Sequence, residues 1–500
     1  MTRGILATPH RLATEAGAQV LREGGNAVDA AVTANAVLCV VYPHMTSIGG
    51  DLFAMIWPAG AAEPIGLEGA GNSGAAASIR AVRDAGHETM PLRGPLTITV
   101  PGTVQAWGRL LERYGSIGFG RALEAAIAHA QDGFIVGDDL GRAFAEAAHW
   151  LLREADTAKA LPPLKTGMLF RQPDLATSLG QIARRGFGGF YFGELGVQIA
   201  ESVQKRGGFL TAADMAAHRS SFVKPLSMNF RDVRVYEMPP PTQGLVAMSM
   251  LARLDTLADT DLEPGPAFAR RFVKMRDAAY GLRERYLTDP AFADVPVAPF
   301  LDPELDPGSL GTAVPAGDTV YLCSADEHGN VVSLIQSIAF DFGSGVVADG
   351  TGIILQNRGS YFSLDPHHVN RIEPNKRTMH TLIPALAARG GKPLAAFGNM
   401  AGEGQPQVQA QVAVNLFARG RDPQESVSAP RIRVAAGGSP LWVEADYPGA
   451  GELNRAQDPA TLLLPPRSHR MGHAQALLID GPGRWRGGAD PRSDGSVEVV

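Results

Sequence analysis

Only two cysteines, Cys39 and Cys323, occur in 500 residues. A disulfide scaffold is not expected from them, a cysteine-rich metal site is excluded, and a reducing compartment fits. No long Lys/Arg run is present and the net charge is only −6, so the electrostatic footprint of a nucleic-acid or anionic-membrane partner is missing. No stretch reaches about 18 unbroken apolar residues, the length a membrane span needs. The opening MTRGILATPHRLATEAG lacks the basic start and apolar segment of a secretory signal. A cytoplasmic protein is the expectation.

Several signatures of common chemistry are also absent. The glycine-rich GSGVVADGTG has neither the GxGxxG spacing nor a following helix pattern, and no GxxxxGK[ST] occurs, so it reads as turns and not as a phosphate cradle. HETM, which begins at His87, lacks the second histidine of a zinc-protease helix, and the adjacent His367 and His368 do not converge on one metal from a regular element. Without GxSxG, a serine elbow has no anchor. No cofactor and no metal are expected.

What is present is a globular composition, 45% apolar and 19% charged, with 58 glycines that imply many turns and close backbone approaches. The length prior suggests about three domains, but composition does not divide the chain. Residues 11 to 42 read as two helices broken at Gly24-Gly25, the second capped by Asn26 with Asp29 in its first turn. LFAMIWP reads as a strand; GTVQAWGRLLERYG, RALEAAIAHAQDG, ATSLGQIARRG and QVQAQVAVNLFARG read as helices; EMPPPTQG is a rigid loop. Residues 275 to 320, with many Pro, Asp and Gly, are expected to be irregular and exposed. From Thr319 the run TVYLCSADEHGNVVSLIQSIAF places two β-rich segments around the turn DEHGN, a hairpin pattern. LPPRSHRMGHAQALLID reads as a loop followed by a strand, giving a mixed α/β pattern without a regular βαβ rhythm.

Thr319 at the head of that hairpin is, by itself, a hydroxyl opening a strand. It gains interest if the chain is cut before it. A free α-amine titrates near pH 8 and is a local base for the otherwise weak hydroxyl nucleophile.

Six segments, in order, resemble the γ-glutamyltransferase family of N-terminal-nucleophile hydrolases. They are REGGNAVDAAVTANAVLCVVYPHMTSIGGDLF at 22–53, VPGTVQAW at 100–107, QDGFIV at 131–136, GDTVYLCSADEHGNVVSL at 317–334, FGSGVVADGTGIILQNRGSYFS at 342–363 and GGADPRSDG at 487–495. The resemblance implies a four-layer αββα sandwich of the α+β class and a self-processing hydrolase or acyltransferase that needs no cofactor. It places the cut between Asp318 and Thr319, giving a large-subunit region 1–318 and a small-subunit region 319–500 that stay associated as one catalytic unit. Thr319 is the implied nucleophile, Ser337 the hydroxyl that orients it, and Ala401-Gly402 the backbone donors to the oxyanion.

The donor-recognition positions depart from the family. Ala70 stands where the carboxylate-clamping arginine belongs, Gly71 follows in place of an acid, and Ala339, Arg358 and Tyr361 replace an asparagine, a glutamine and an aspartate. His380 and Thr381 replace paired serines, and Val320 replaces the threonine after the nucleophile. Arg358 reads either as a replacement anion clamp or as half of a structural ion pair. The pattern resembles the divergent cytoplasmic branch that includes oxamate amidohydrolase. A small amide or γ-glutamyl-like substrate is implied, with water or an amino-group acceptor. An authentic γ-glutamyl transferase or glutathione hydrolase, and an inactive binding homologue, are the alternatives. A homo-oligomer is left open; neither nucleic acid nor membrane is expected as a partner.

Overall fold

The computed structural model describes residues 3–308, 317–435 and 438–500. Its centre is two antiparallel sheets. The first contains β1 (Gly4–Thr8), β2 (Asp51–Trp57), β3 (Ile65–Gly69) and β4 (Ser221–Val223); the second begins with β5 (Leu226–Phe230) and β6 (Val233–Glu237). β7 (Asp318–Asp326) and β8 (Val331–Ala339) return to the first sheet, whereas β9 (Ala385–Arg389), β10 (Lys392–Met400), β11 (His473–Gly481) and β12 (Arg484–Ala489) extend the second. β13 (Ser496–Val499) closes the first. The orders are β13-β1-β7-β8-β2-β3-β4 and β12-β11-β10-β9-β6-β5.

Side-chain alternation decides what each sheet face touches. On β7, Val320 and Leu322 join the core beneath the helices of the first half of the chain, while Tyr321, Cys323 and Ala325 join the core between the sheets. Thr319 shares the parity of Tyr321, which aims it toward the second sheet. The outer helices on the first sheet include α1 (Arg11–Arg22), α2 (Ala27–Val41), α3 (Thr103–Tyr114), α4 (Phe119–Asp132) and α5 (Pro173–Arg185). The second sheet is covered by α6 (Gly244–Asp255), α7 (Pro266–Tyr286) and α8 (Gln405–Ala413). The result is the expected αββα sandwich.

Local chemistry accounts for most of these elements. α2 is capped as the sequence suggests: Asn26 Oδ1 accepts from Val28 N and Asp29 N, and Asp29 accepts from Asn26 N, forming a capping box. Every residue of α2 is buried, consistent with AVDAAVTANAVLCVV carrying almost no charge. The turn after β7 is held by Asp326, whose carboxylate accepts from His328 N, Asn330 N and Asn330 Nδ2.

One expectation fails. The passage from 275 is not irregular until Leu287, because α7 runs through to Tyr286 and buries Phe268, Phe272, Ala279, Tyr280 and Leu282. Its many charged residues hide that stripe in the sequence. Residues 309–316, the end of the same passage, lie outside the described residues.

The C-terminal GGADPRSDG forms a buried ionic cluster. Arg492 bridges Glu444 and Asp490, and Arg431 also reaches Asp490, with all four side chains at most 2% exposed. Removing one member of such a cluster leaves an uncompensated buried charge, at a cost of about 3–5 kcal/mol. The cluster ties β12 to the small sheet of Ile432–Val434, Leu441–Glu444 and Thr461–Leu464.

Candidate active site

Thr319 is fully buried near the start of β7. The ladder to β8 changes register beside it: Gln336 faces Val320, but Ala339 faces Asp318. Ser337 and Ile338 therefore oppose Thr319 alone, a β-bulge directly across from the implied nucleophile. Bulges of this kind re-aim side chains and end pairing next to functional sites. Ala339 adopts φ 80°, a left-handed conformation unusual for a residue with a Cβ, and its N–H donates to Ser337 Oγ at 2.7 Å. Ser337 also faces Asp51 on the other neighbour, β2.

From the second sheet, β10 runs into a short turn at 402–404 and then α8. Gln405, at the start of α8, donates from Nε2 to Thr319 Oγ1 at 3.2 Å. Ala401 and Gly402 precede it. The Ala401 carbonyl accepts from Arg433 Nη2 at 2.8 Å and from Gly404 N at 2.9 Å. Because the peptide is planar and trans, fixing that carbonyl also fixes the opposed N–H of Gly402. Gln243 Nε2 donates to the Gly402 carbonyl at 3.0 Å and to the Thr381 carbonyl at 3.1 Å, joining two implied site segments. Gly402 has φ 53°, and a Cβ there would overlap the backbone of Gly317. The chain just before Asp318 thus lies against the implied oxyanion donors.

The recognition positions also come together. Arg358 lies on a short turn at Arg358–Tyr361 and is 1% exposed; its Nη1 donates to Thr381 Oγ1 at 3.0 Å, and its guanidinium carbon is 5.2 Å from the Tyr361 ring centroid. Its Nε and Nη2 find no acceptor in good hydrogen-bond geometry, while the Tyr361 hydroxyl interacts with Arg358 and with Thr381. The structural ion pair considered for Arg358 does not form: among the described residues no carboxylate oxygen lies within 4 Å of the guanidinium. Burial lowers its pKa, with Tyr361 and Asp51 opposing that shift.

His380 contributes a pairing the sequence does not reveal. Its Nε2 is 3.1 Å from Asp51 Oδ2, while Nδ1 accepts from Leu382 N at 3.4 Å, so Nε2 carries the proton and donates to Asp51. Asp51 Oδ1 accepts from Gln356 Nε2 at 3.0 Å and from Gly71 N at 3.1 Å. Burial nevertheless pushes the Asp51 carboxyl up to about 7, against the pull of Arg358, Gln356 and nearby amides. Burial, reinforced by Arg358 and Arg377, holds His380 well below the ordinary histidine range. Ala70 is buried beyond β3 and offers no charge.

Asp51, Gln243, Gln405 and Gly317 are the site residues missed by sequence reasoning. Asp51 follows Gly49-Gly50 inside the long N-terminal motif, and Gln405 follows the oxyanion turn directly; those adjacencies were the available signals.

This two-sheet framework has known counterparts. The gamma-glutamyltranspeptidase family model matches residues 13–500. The chain belongs to the gamma-glutamyltranspeptidase family. It is an enzyme of the N-terminal-nucleophile type, in a family of self-processing amide hydrolases and acyltransferases. It is 38% identical to the glutathione hydrolase-like YwrD proenzyme of Bacillus subtilis (strain 168), over 99% of this chain and 98% of that protein. It is 36% identical to the oxamate amidohydrolase proenzyme of Klebsiella pneumoniae subsp. pneumoniae, again over 99% and 98%. The crystal structure of cephalosporin acylase from Bacillus halodurans superposes with a TM-score of 0.91 and 33% identity, covering 99% of this chain and 96% of that one. Among the described residues of this transpeptidase-family chain, no helix is long and apolar enough to cross a membrane.

Proposed function

We propose that the chain cuts itself between Asp318 and Thr319 and then hydrolyses a small amide with Thr319 as nucleophile. The observation that carries this reading is the convergence on one buried threonine of a β-bulge, the Gln405 amide and the tied Ala401-Gly402 turn. In the self-cleavage, Thr319 Oγ attacks the Asp318 carbonyl carbon, the C–N bond breaks, and the proton passes to the nitrogen that becomes the Thr319 amine. Water hydrolyses the resulting ester. Ser337, across the ladder, orients the hydroxyl.

In turnover the free Thr319 amine takes the hydroxyl proton as Oγ attacks the substrate carbonyl. The N–H groups of Ala401 and Gly402 receive the oxyanion, and the proton is returned to the departing amine. Water then frees the acid and restores Thr319; an amino-group acceptor in its place would give transfer. Hydrolysis is favoured over γ-glutamyl transfer because Ala70 and Tyr361 remove the charged groups that the family resemblance assigns to amino-acid recognition. The amidohydrolase and acylase names of the relatives support the same choice.

The products of the cut are residues 1–318 and 319–500, and their association follows from topology. β1, from the large piece, pairs with β13 and β7 from the small one, and β2 pairs with β8. In the second sheet β6 pairs with β9 across the same divide. Denatured mass analysis tests the reading: wild type should give two masses divided after Asp318, and Thr319→Ala one full-length mass. An active wild type that stays uncut and loses no activity on Thr319→Ala overturns it.

A further inference from the structure

Self-cleavage changes what the Thr319 nitrogen must bond to. Before the cut it is a peptide amide with one N–H; afterwards it is an amine with two, or an ammonium with three, on a residue that has no exposed surface. A buried N–H without an acceptor is costly, so the mature site needs one that the precursor does not use. Gln405 holds such a vacancy. It is fully buried, its Nε2 donates to Thr319 Oγ1 at 3.2 Å, and its Oε1 has no hydrogen-bond partner.

The chemistry of the reaction fixes which end of the carboxamide faces the hydroxyl. Oγ gives its own proton to the amine, so it accepts from Nε2, and Oε1 is left for an N–H. A carboxamide carries its acceptor and donor side by side, and an N-terminal threonine carries its hydroxyl and amine on adjacent carbons, so the two pair along one edge. The backbone under Gln405 is anchored: Pro406 follows it in the first turn of α8, and the turn before it is tied by Arg433 and Gln243. Neutrality also matters, because the amine acts as a base only while uncharged. A carboxylate at 405 would hold the ammonium, whereas a carboxamide holds the amine without a countercharge. The positive end of the α8 dipole, beside Thr319, favours the uncharged amine further.

We infer that Gln405 is a catalytic residue: after the cut its Oε1 accepts an N–H of the Thr319 amine while Nε2 holds Oγ, which turns the amine lone pair toward the hydroxyl proton. The inference rests on Thr319 being the nucleophile. Other charged and titratable groups surround the amine. Tyr361, with Arg358 against its ring, faces the segment before the cut, and His44 and His473 line the cavity at Gly317. Asp51 and its partner His380 lie across Ser337. Arg433, Tyr280 and the Arg283–Glu403 pair back the turn that leads into α8. Substitutions at 405 leave all of these in place, so a change in pH response between variants reports on Gln405 itself.

The test is the pH dependence of Thr319 acylation by 4-nitrophenyl acetate in the processed enzyme, with Thr319→Ala as the blank. The rate should climb as the Thr319 ammonium loses its proton. Gln405→Glu should move that climb up by at least about one pH unit, because an opposite charge at contact distance favours the ammonium. Gln405→Met, which keeps the length of the side chain and removes both hydrogen bonds, should slow acylation at least about 10-fold at every pH without an upward shift. A role confined to packing would slow both variants and leave the climb where wild type has it; an unmoved climb in Gln405→Glu overturns the inference. If the variants stay uncut, or the ester is not taken, the crystal structure of processed wild type decides. Oε1 should then lie within hydrogen-bond distance of the Thr319 nitrogen, and an amine bonded elsewhere with Oε1 still unpartnered overturns the inference. Cleavage before Thr319 would leave the nucleophile reading intact in that event; an uncut, unacylated Thr319 would bring down both.

Discussion

Gly402 is the residue on which the proposed oxyanion site turns. At φ 53° an alanine costs about 1–2 kcal/mol in backbone strain alone, and its Cβ would also overlap Gly317. Gly402→Ala is therefore expected to lower the melting temperature of the precursor and to leave most of it uncut in denatured mass spectra, with Gly398→Ala unsuitable as a control because it would strike the Tyr321 ring. Cleavage of G402A at the wild-type rate would show that this backbone does not bear on the bond. Thr319, Ser337, Ala401 and Gly402 are nameable from the sequence only through family resemblance, since a threonine opening a strand has no signature of its own. The absence of an ion pair at Arg358 was not legible, because it depends on where every other carboxylate ends up. The same holds for Asp51 and His380, which lie 329 positions apart.

Among the elements, those with a local code were readable. Asn26 with Asp29 announces the start of α2, and DEHGN between two β-rich runs announces the hairpin of β7 and β8. The bulge opposite Thr319 was not readable. It requires one extra residue on β8 and a left-handed Ala339, and neither alters the hydrophobic pattern or introduces the glycine that would flag it. α7 was partly missed for a different reason: its buried stripe is interleaved with arginines, and Arg276 and Arg283 are themselves buried against Tyr280. The sandwich follows from resemblance, whereas composition alone leaves only a mixed α/β class.

At the scale of the whole molecule, the interior holds several neutral imidazoles. Burial above all lowers His10, His44 and His473 to about 4 and His218 to about 3. In the unfolded chain each takes up a proton near pH 6.5, so the unfolded state binds more protons between about pH 6.5 and 4. Their contribution to stability is complete above pH 6.5 and is lost as pH falls through that window. Burial raises Asp51 to about 7 and Asp494 to about 6, and raises Glu68 and Glu237 as well, all acting in the opposite sense. His129, His380 and His469 are lowered too, so seven histidines stand against these four carboxyls among the described residues. The urea midpoint of the processed enzyme should fall steadily from pH 7 to pH 4; a flat or rising midpoint contradicts this assignment. The cut itself should leave these cores in place, because each main sheet contains strands from both sides of it.

The central claim is that Thr319 is both the new N-terminus and the acyl carrier. Acid-quenching the enzyme during turnover and mapping its peptides by mass addresses both at once. The account predicts a peptide that begins at Thr319 with a free amine and bears the acyl mass on the threonine hydroxyl; a peptide continuous through Asp318 and Thr319 in active enzyme, or an acyl group on any other residue, contradicts it.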